Sequence, residues 1–240
     1  MRALTLVLIL GLATPVLAQT PAESNDSGFT VKHIEYGVQG IDTDTNSSRF
    51  REYRAVPEGF YLPYAHFAGG GKIRWDFVGR NILQNDATYR AFAEKSSIRI
   101  DAEFVKIPHG FGNDAKSLLA QTGDGDLTMS NTLQQYFQDT ITAKWNVSKP
   151  SVNYAFLNGL VSPSLAAAPT FDIGLNRERG KIQLQLTRDK PVDLRLTYFH
   201  EKRTGNRASG TSFGFSGVVE TPAPIDYRTQ DLALSGEWKR

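Results

Sequence analysis

Lys72-Ile73-Arg74-Trp75-Asp76-Phe77, followed later by Ile98-Arg99-Ile100-Asp101-Ala102-Glu103-Phe104, alternates apolar and charged residues with a period of two. In an extended strand that period sends successive side chains to opposite faces. Ile73, Trp75, Phe77, Ile98, Ile100 and Phe104 then share one face, and Lys72, Arg74, Asp76, Arg99, Asp101 and Glu103 the other. The same alternation recurs at 34–39, 181–186, 193–198 and 232–238, adding Leu194, Leu196 and Tyr198 to the apolar face. Helical spacing fits none of these stretches. Turn-forming residues separate them: Gly69-Gly70-Gly71, Asn85-Asp86, Pro108-His109-Gly110, Asp189-Lys190-Pro191 and Gly205-Asn206. The pattern predicts an all-β chain of about eight antiparallel strands, each of up to roughly ten residues.

Two stretches break the rhythm. Residues 127–144 place Leu133, Tyr136 and Phe137 at helical spacing behind Ser130 or Asn131 as N-cap, which predicts a short helix in a long loop. Residues 148–169, rich in Ser, Pro, Asn and Ala, read as a second long connection.

The N-terminus indicates export. Arg2 precedes an apolar run from Leu4 to Leu12, Pro15 interrupts it, and Val16-Leu17-Ala18 offers small residues ahead of Gln19. That is the layout of a cleaved signal peptide, with an apolar run too short to span a bilayer as a helix. Residues 1–18 are therefore assigned to the signal, 19–28 to a flexible mature N-terminus and 29–240 to the β-structure. The chain has no cysteine, so neither disulfides nor covalent haem attachment is available to it. The formal charge of +2 falls to +1 when Arg2 is removed, which gives no electrostatic footprint for nucleic acid.

Alternation alone fits either a soluble periplasmic β-sandwich or a transmembrane barrel. Aromatic residues near strand ends (Tyr61, Tyr64, Phe67, Trp75, Phe77, Tyr198, Phe199, Trp238) and long loops alternating with tight turns favour the barrel. In that reading the apolar face meets outer-membrane lipid. Lys72, Arg74, Asp76, Arg99, Asp101 and Glu103 line the lumen.

Several motifs follow one another in a telling order. Asn176-Arg177-Glu178-Arg179 precedes Tyr198-Phe199-His200-Glu201-Lys202-Arg203-Thr204-Gly205, and Pro222-Ala223-Pro224-Ile225-Asp226-Tyr227-Arg228-Thr229 comes next. Upstream stand Gly79-Arg80-Asn81 with Asp86 and Tyr89, then Ile107-Pro108-His109. This order resembles the MtrB/PioB family of outer-membrane β-barrels over roughly residues 35–238. The resemblance carries Ile107, Pro108, His109, Arg177, Glu178, Arg179, Glu201, Lys202, Thr204, Gly205, Pro224, Asp226 and Tyr227 as family-motif positions. It implies a barrel that sheathes a periplasmic multihaem c-type cytochrome in its lumen, forming an electron conduit across the outer membrane. The haem belongs to that partner, and the barrel binds no cofactor directly. Some members carry a Cys-x-x-Cys near the mature N-terminus, which this chain lacks. Family barrels are also larger than eight strands, so the chain is expected to be an N-terminal sector of a wider barrel.

Other candidates are weaker. His33, His66, His109 and His200 show no ligand spacing, and Asp101 and Glu103 share one strand face with no converging partner. Gly69-Gly70-Gly71 lacks the Lys-Ser/Thr of a phosphate loop. Arg177-Glu178-Arg179 reads as a rim or lumenal charge network. Neither a catalytic site nor a metal site is expected. A diffusion porin, or a TonB-dependent-type transporter barrel, is the alternative function.

Overall fold

Strand β1 (Thr30–Gln39) pairs antiparallel with β2 (Gly59–Gly69), and the chain then runs up and down through β3 (Arg74–Ile82), β4 (Thr88–Lys95) and β5 (Ile98–Lys116). A small hairpin of β6 (Ala120–Gln121) and β7 (Leu127–Thr128) follows, then helices α1 (Asn131–Val147) and α2 (Tyr154–Ala167). The sheet resumes with β8 (Thr170–Gln185), β9 (Val192–Ser212) and β10 (Val218–Trp238). This computed structural model describes residues 28–42, 44, 47–123, 126–187, 190–212 and 218–238; the expected signal peptide at 1–18 and residues 19–27 of the expected flexible N-terminus lie outside them.

Eight strands form one antiparallel sheet in the order β1-β2-β3-β4-β5-β8-β9-β10. Among the described residues β1 hydrogen-bonds β2 alone and β10 hydrogen-bonds β9 alone, so the sheet is an open sector with two edges. Unpaired N–H and C=O groups cost several kcal/mol each in hydrocarbon, so both edges require pairing strands in a membrane. The links at one rim are tight: 70–73, Ser96-Ser97 and 186–191. The opposite rim carries 40–58 and the whole helical insertion, and β1 begins at the tight-turn rim.

Element bounds differ from expectation. Strands are not capped at ten residues: β1 to β4 have 8 to 11, whereas β5, β8, β9 and β10 have 16 to 21. Residues 148–169 form the expected connection, and α2 occupies most of it; the Asn153 side chain accepts from Phe156 N–H and caps the helix. The first helix is confirmed but runs from Asn131 to Val147, with Ser130 at its N-cap position and 127–128 in β7.

The supposed turns at Pro108-His109-Gly110 and Gly205-Asn206 both lie inside strands. Backbone chemistry explains each. Lys106 N–H donates to Ala87 O at 2.9 Å and Gly110 N–H donates to Glu52 O at 2.8 Å, both on the β4 side of β5. Alternate residues point their nitrogens the same way, so Pro108 has its missing donor in the gap between those two bonds. No ladder bond is lost. Gly205 has φ +137° and packs so close to Gly174 O that a Cβ has no room.

The two faces of the sheet are inside-out for a water-soluble protein. Asp193 and Glu201 are 1% and 5% exposed, whereas Ile98, Ile100 and Ile182 are 48%, 44% and 50% exposed. No second layer covers the apolar face among the described residues, which removes the sandwich reading. An aromatic ladder crosses that face from strand to strand. Phe29, Phe67, Phe77, Tyr89 and Phe104 stack in sequence with centroids 5.8, 6.1, 6.2 and 6.4 Å apart.

Candidate functional site: the polar face and the row where four motifs meet

Strand register fixes which side chains are neighbours, because directly opposite residues of an antiparallel ladder share a face. Arg74, Glu94, Arg99, Gln185 and Arg195 form one polar row across β3, β4, β5, β8 and β9. Asp76, Phe92, Asp101, Gln183 and Thr197 form the next polar row, and Val78, Arg90, Glu103, Lys181 and Phe199 the one after. Between them run the apolar-face rows Trp75–Ala93–Ile100–Leu184–Leu196 and Phe77–Ala91–Ala102–Ile182–Tyr198. The alternation seen in the sequence thus survives as two segregated faces, with Phe104 and Leu194 also on the apolar one. Lys72 and Ile73 precede β3 in a bend, so the ladder does not set their direction.

Opposite charges on the polar face are joined. Arg99 pairs with Asp101 at 2.6 Å and with Glu94 at 3.0 Å, and lies over the Phe92 ring at 4.2 Å. Arg74 also reaches Glu94, Arg90 reaches Glu103 at 3.1 Å, and His66 meets Asp76 at 2.7 Å. Arg195 pairs with Asp193 at 2.6 Å. Asp101 and Glu103 therefore act as partners of arginines rather than as a carboxylate pair poised for hydrolysis. Two aromatics expected at the apolar girdle turn inward instead: Tyr64 lies under Arg80 and Phe199 under Arg179.

The densest arrangement lies toward the long-loop rim. Ile107 on β5, Arg177 on β8, Arg203 on β9 and Tyr227 on β10 are mutually opposite, in one hydrogen-bonded row. Each belongs to a different one of the four motifs singled out in the sequence. His109, Leu175, Gly205 and Ile225 form the polar-face row beyond it. Pro108, Asn176, Thr204 and Asp226 occupy the intervening positions, which alternate to the other face, and Pro224 stands opposite Asn206. At the centre sits the nearly buried Glu201 carboxylate. Arg177 reaches it at 2.6 Å, Arg203 at 2.7 Å and Arg179 at 3.5 Å. Three guanidiniums share one carboxylate, so net positive charge remains on this part of the polar face. Glu178 alternates to the opposite face, where it lies 3.6 Å from Lys106 and directly across from Lys202. The run Arg177-Glu178-Arg179 thus serves both faces.

The segment between β1 and β2 reaches across to the extended part of β5. Tyr53 stacks on the His109 ring at 4.2 Å, Phe111 flanks the same ring at 4.0 Å, and Glu52 lies 3.4 Å from its Nε2. Ser48 Oγ adds a bond to Phe111 O at 3.3 Å. The sequence marks His109 but not this strap, because nothing local to 40–58 says where it docks.

A family of outer-membrane β-barrel porins, MtrB/PioB, matches residues 42–240. The chain belongs to the MtrB/PioB family. No curated protein matches it significantly. The family assignment and the single open sheet agree: this MtrB/PioB chain is a sector of an outer-membrane barrel. Among the described residues no three His, Cys, Asp or Glu side chains gather as a metal site, and His33, His66 and His109 each face a carboxylate.

Proposed function

We propose that this MtrB/PioB barrel sheathes a periplasmic multihaem c-type cytochrome and so forms an electron conduit across the outer membrane. The protein wall supplies no redox centre in this reading. The apolar face meets lipid, and the polar face lines the lumen. The tight-turn rim faces the periplasm, where an exported chain would begin its first strand, and the long-loop rim faces outward.

The observation that carries the proposal is the row Ile107–Arg177–Arg203–Tyr227, whose two arginines both reach Glu201 in the next polar-face row. It brings together motifs that resemble this family's, on the face an occupant would touch. Long, ion-paired side chains along that face are suited to a polar protein surface, and the excess of arginine suits an acidic one. Purification of the full-length protein from native membranes tests this. A c-type haem spectrum at fixed stoichiometry is expected. The family's porin description favours a second reading, an open diffusion pore. Haem-free barrels with steady ion conductance in planar bilayers would establish that reading and displace the conduit.

A further inference from the structure

We propose that the apolar face of the sheet ends in a docking row for the phosphate groups of outer-leaflet lipid, formed by Lys106, Lys202 and Arg228. The three residues lie with Glu178 in a single hydrogen-bonded row across β5, β8, β9 and β10, on the apolar side of the sheet. The height of Lys202 and Arg228, on neighbouring strands, is what singles them out. On β9 the outward positions run Val192, Leu194, Leu196, Tyr198, His200 and Lys202 without a register break. On β10 they run Trp238, Gly236, Leu234, Leu232, Gln230 and Arg228. Ten residues at about 3.4 Å each, tilted by about 40°, rise about 26 Å. The apolar band of an outer-membrane barrel is about 25 Å tall. Lys202 and Arg228 therefore stand where hydrocarbon gives way to headgroups, with Trp238 at the opposite boundary.

These charges are not at the end of the sheet. β9 continues to Ser212 and β10 begins at Val218, so the strands run about ten residues further into water. Within the row three cations face one carboxylate, and Glu178 lies 3.6 Å from Lys106. Lys and Arg stems can lie along the apolar band while their charged ends reach the interface. Anionic headgroups are the complementary partner at that depth. The cluster around Glu201 is on the other face and takes no part.

The test uses the full-length barrel reconstituted in phosphatidylcholine vesicles with or without lipid A. Retention of lipid A through detergent extraction is measured by native mass spectrometry. Wild type is expected to retain it, and K202Q/R228Q to retain it roughly tenfold more weakly. The charge-preserving K202R/R228K should behave as wild type. K181Q, which removes one cation from the polar face, should also retain it. Heat-modifiable migration on a gel confirms that each variant is folded. Equal retention by K202Q/R228Q and wild type would overturn the proposal. So would an equal loss in K181Q, which would mean that only net charge matters. Displacement of lipid A by millimolar inorganic phosphate would show a free-anion site instead and would equally overturn it. None of these outcomes depends on whether a cytochrome occupies the lumen.

Discussion

The same four strands, β5, β8, β9 and β10, behave as two different materials along their length. Toward the tight turns, outward positions are Ile98, Ile100, Leu184, Leu194, Leu196 and Leu234, and the polar face is a lattice of ion pairs. Toward the long loops, outward positions become Lys106, Glu178, Lys202, Asn176, Thr204 and Asp226, so the outward face turns polar. Backbone pairing continues unbroken through the change on β9 and β10. Hydrogen bonding thus sets how far the sheet extends, while side-chain chemistry sets which part sits in lipid. β1 to β4 have only the length of the first material, 8 to 11 residues, close to what a tilted strand needs to cross a bilayer.

The largest expected effect tests that division. Ile100→Arg, in the middle of the outward apolar run of β5, should destabilise the folded barrel by about 2–4 kcal/mol. Thr204→Arg, outward in the extension of β9, should cost less than about 0.5 kcal/mol because the side chain stays in water. Urea unfolding in vesicles checks both. Similar penalties at the two positions would erase the distinction between the halves.

Next in size is Gly205→Ala. The positive φ and the approach of Gly174 O leave no room for a Cβ, so a cost of about 1–3 kcal/mol is expected, confined to the β8–β9 extension. Hydrogen exchange should show the amides around 174–176 and 204–206 opening while those near Ile100 stay protected. Uniform deprotection of the sheet would mean that the halves are not separable.

Glu201→Gln ranks third. Removing the shared charge leaves Arg177, Arg179 and Arg203 facing one another, but these are 37%, 45% and 47% exposed, so water screens much of the repulsion. A loss of roughly 1–2 kcal/mol is expected, less than for a fully buried pair. A double-mutant cycle with Arg177→Gln measures the coupling; additivity within about 0.3 kcal/mol would show that the carboxylate does not organise the cluster.

The faces were legible in the sequence because period two survives any amount of strand extension. Trp75, Phe77, Ile100, Asp101 and Glu103 lie where alternation places them. Strand length was not legible. Pro108 and Gly205 are ordinarily turn residues, and only the neighbours, a docked loop beside Pro108 and the Gly174 backbone beside Gly205, make them compatible with long strands. The second helix was hidden for a related reason: Asn153 caps it, but Pro163 and the run of Ser and Ala also suit a loop. The motifs were visible one at a time. Their convergence on one row depends on three successive strand pairings, the widest joining Ile107 to Arg177, which local spacing does not encode.

The smallest expected effect concerns the strap, which lies wholly in the water-exposed half. Glu52, Tyr53 and Ser48 occupy the side of β5 that β4 is too short to cover, so the strap satisfies an edge that would otherwise template further pairing. Tyr53→Ala removes one face of the sandwich around His109 and should cost the least of these substitutions. Its readout is local: faster exchange of the Gly110 amide and protease cutting within 40–58, with global unfolding unchanged. Desolvation of the Tyr53 phenol and the nearby Glu52 charge raise its pKa above the ordinary tyrosine value. The strap should accordingly hold fully below that ordinary value and loosen as pH rises through the raised one, because the folded state then binds the proton more tightly than the unfolded. A strap equally protected in Tyr53→Ala, or insensitive to alkaline pH, would show that the Glu52 carbonyl and the Ser48 hydroxyl alone hold the edge.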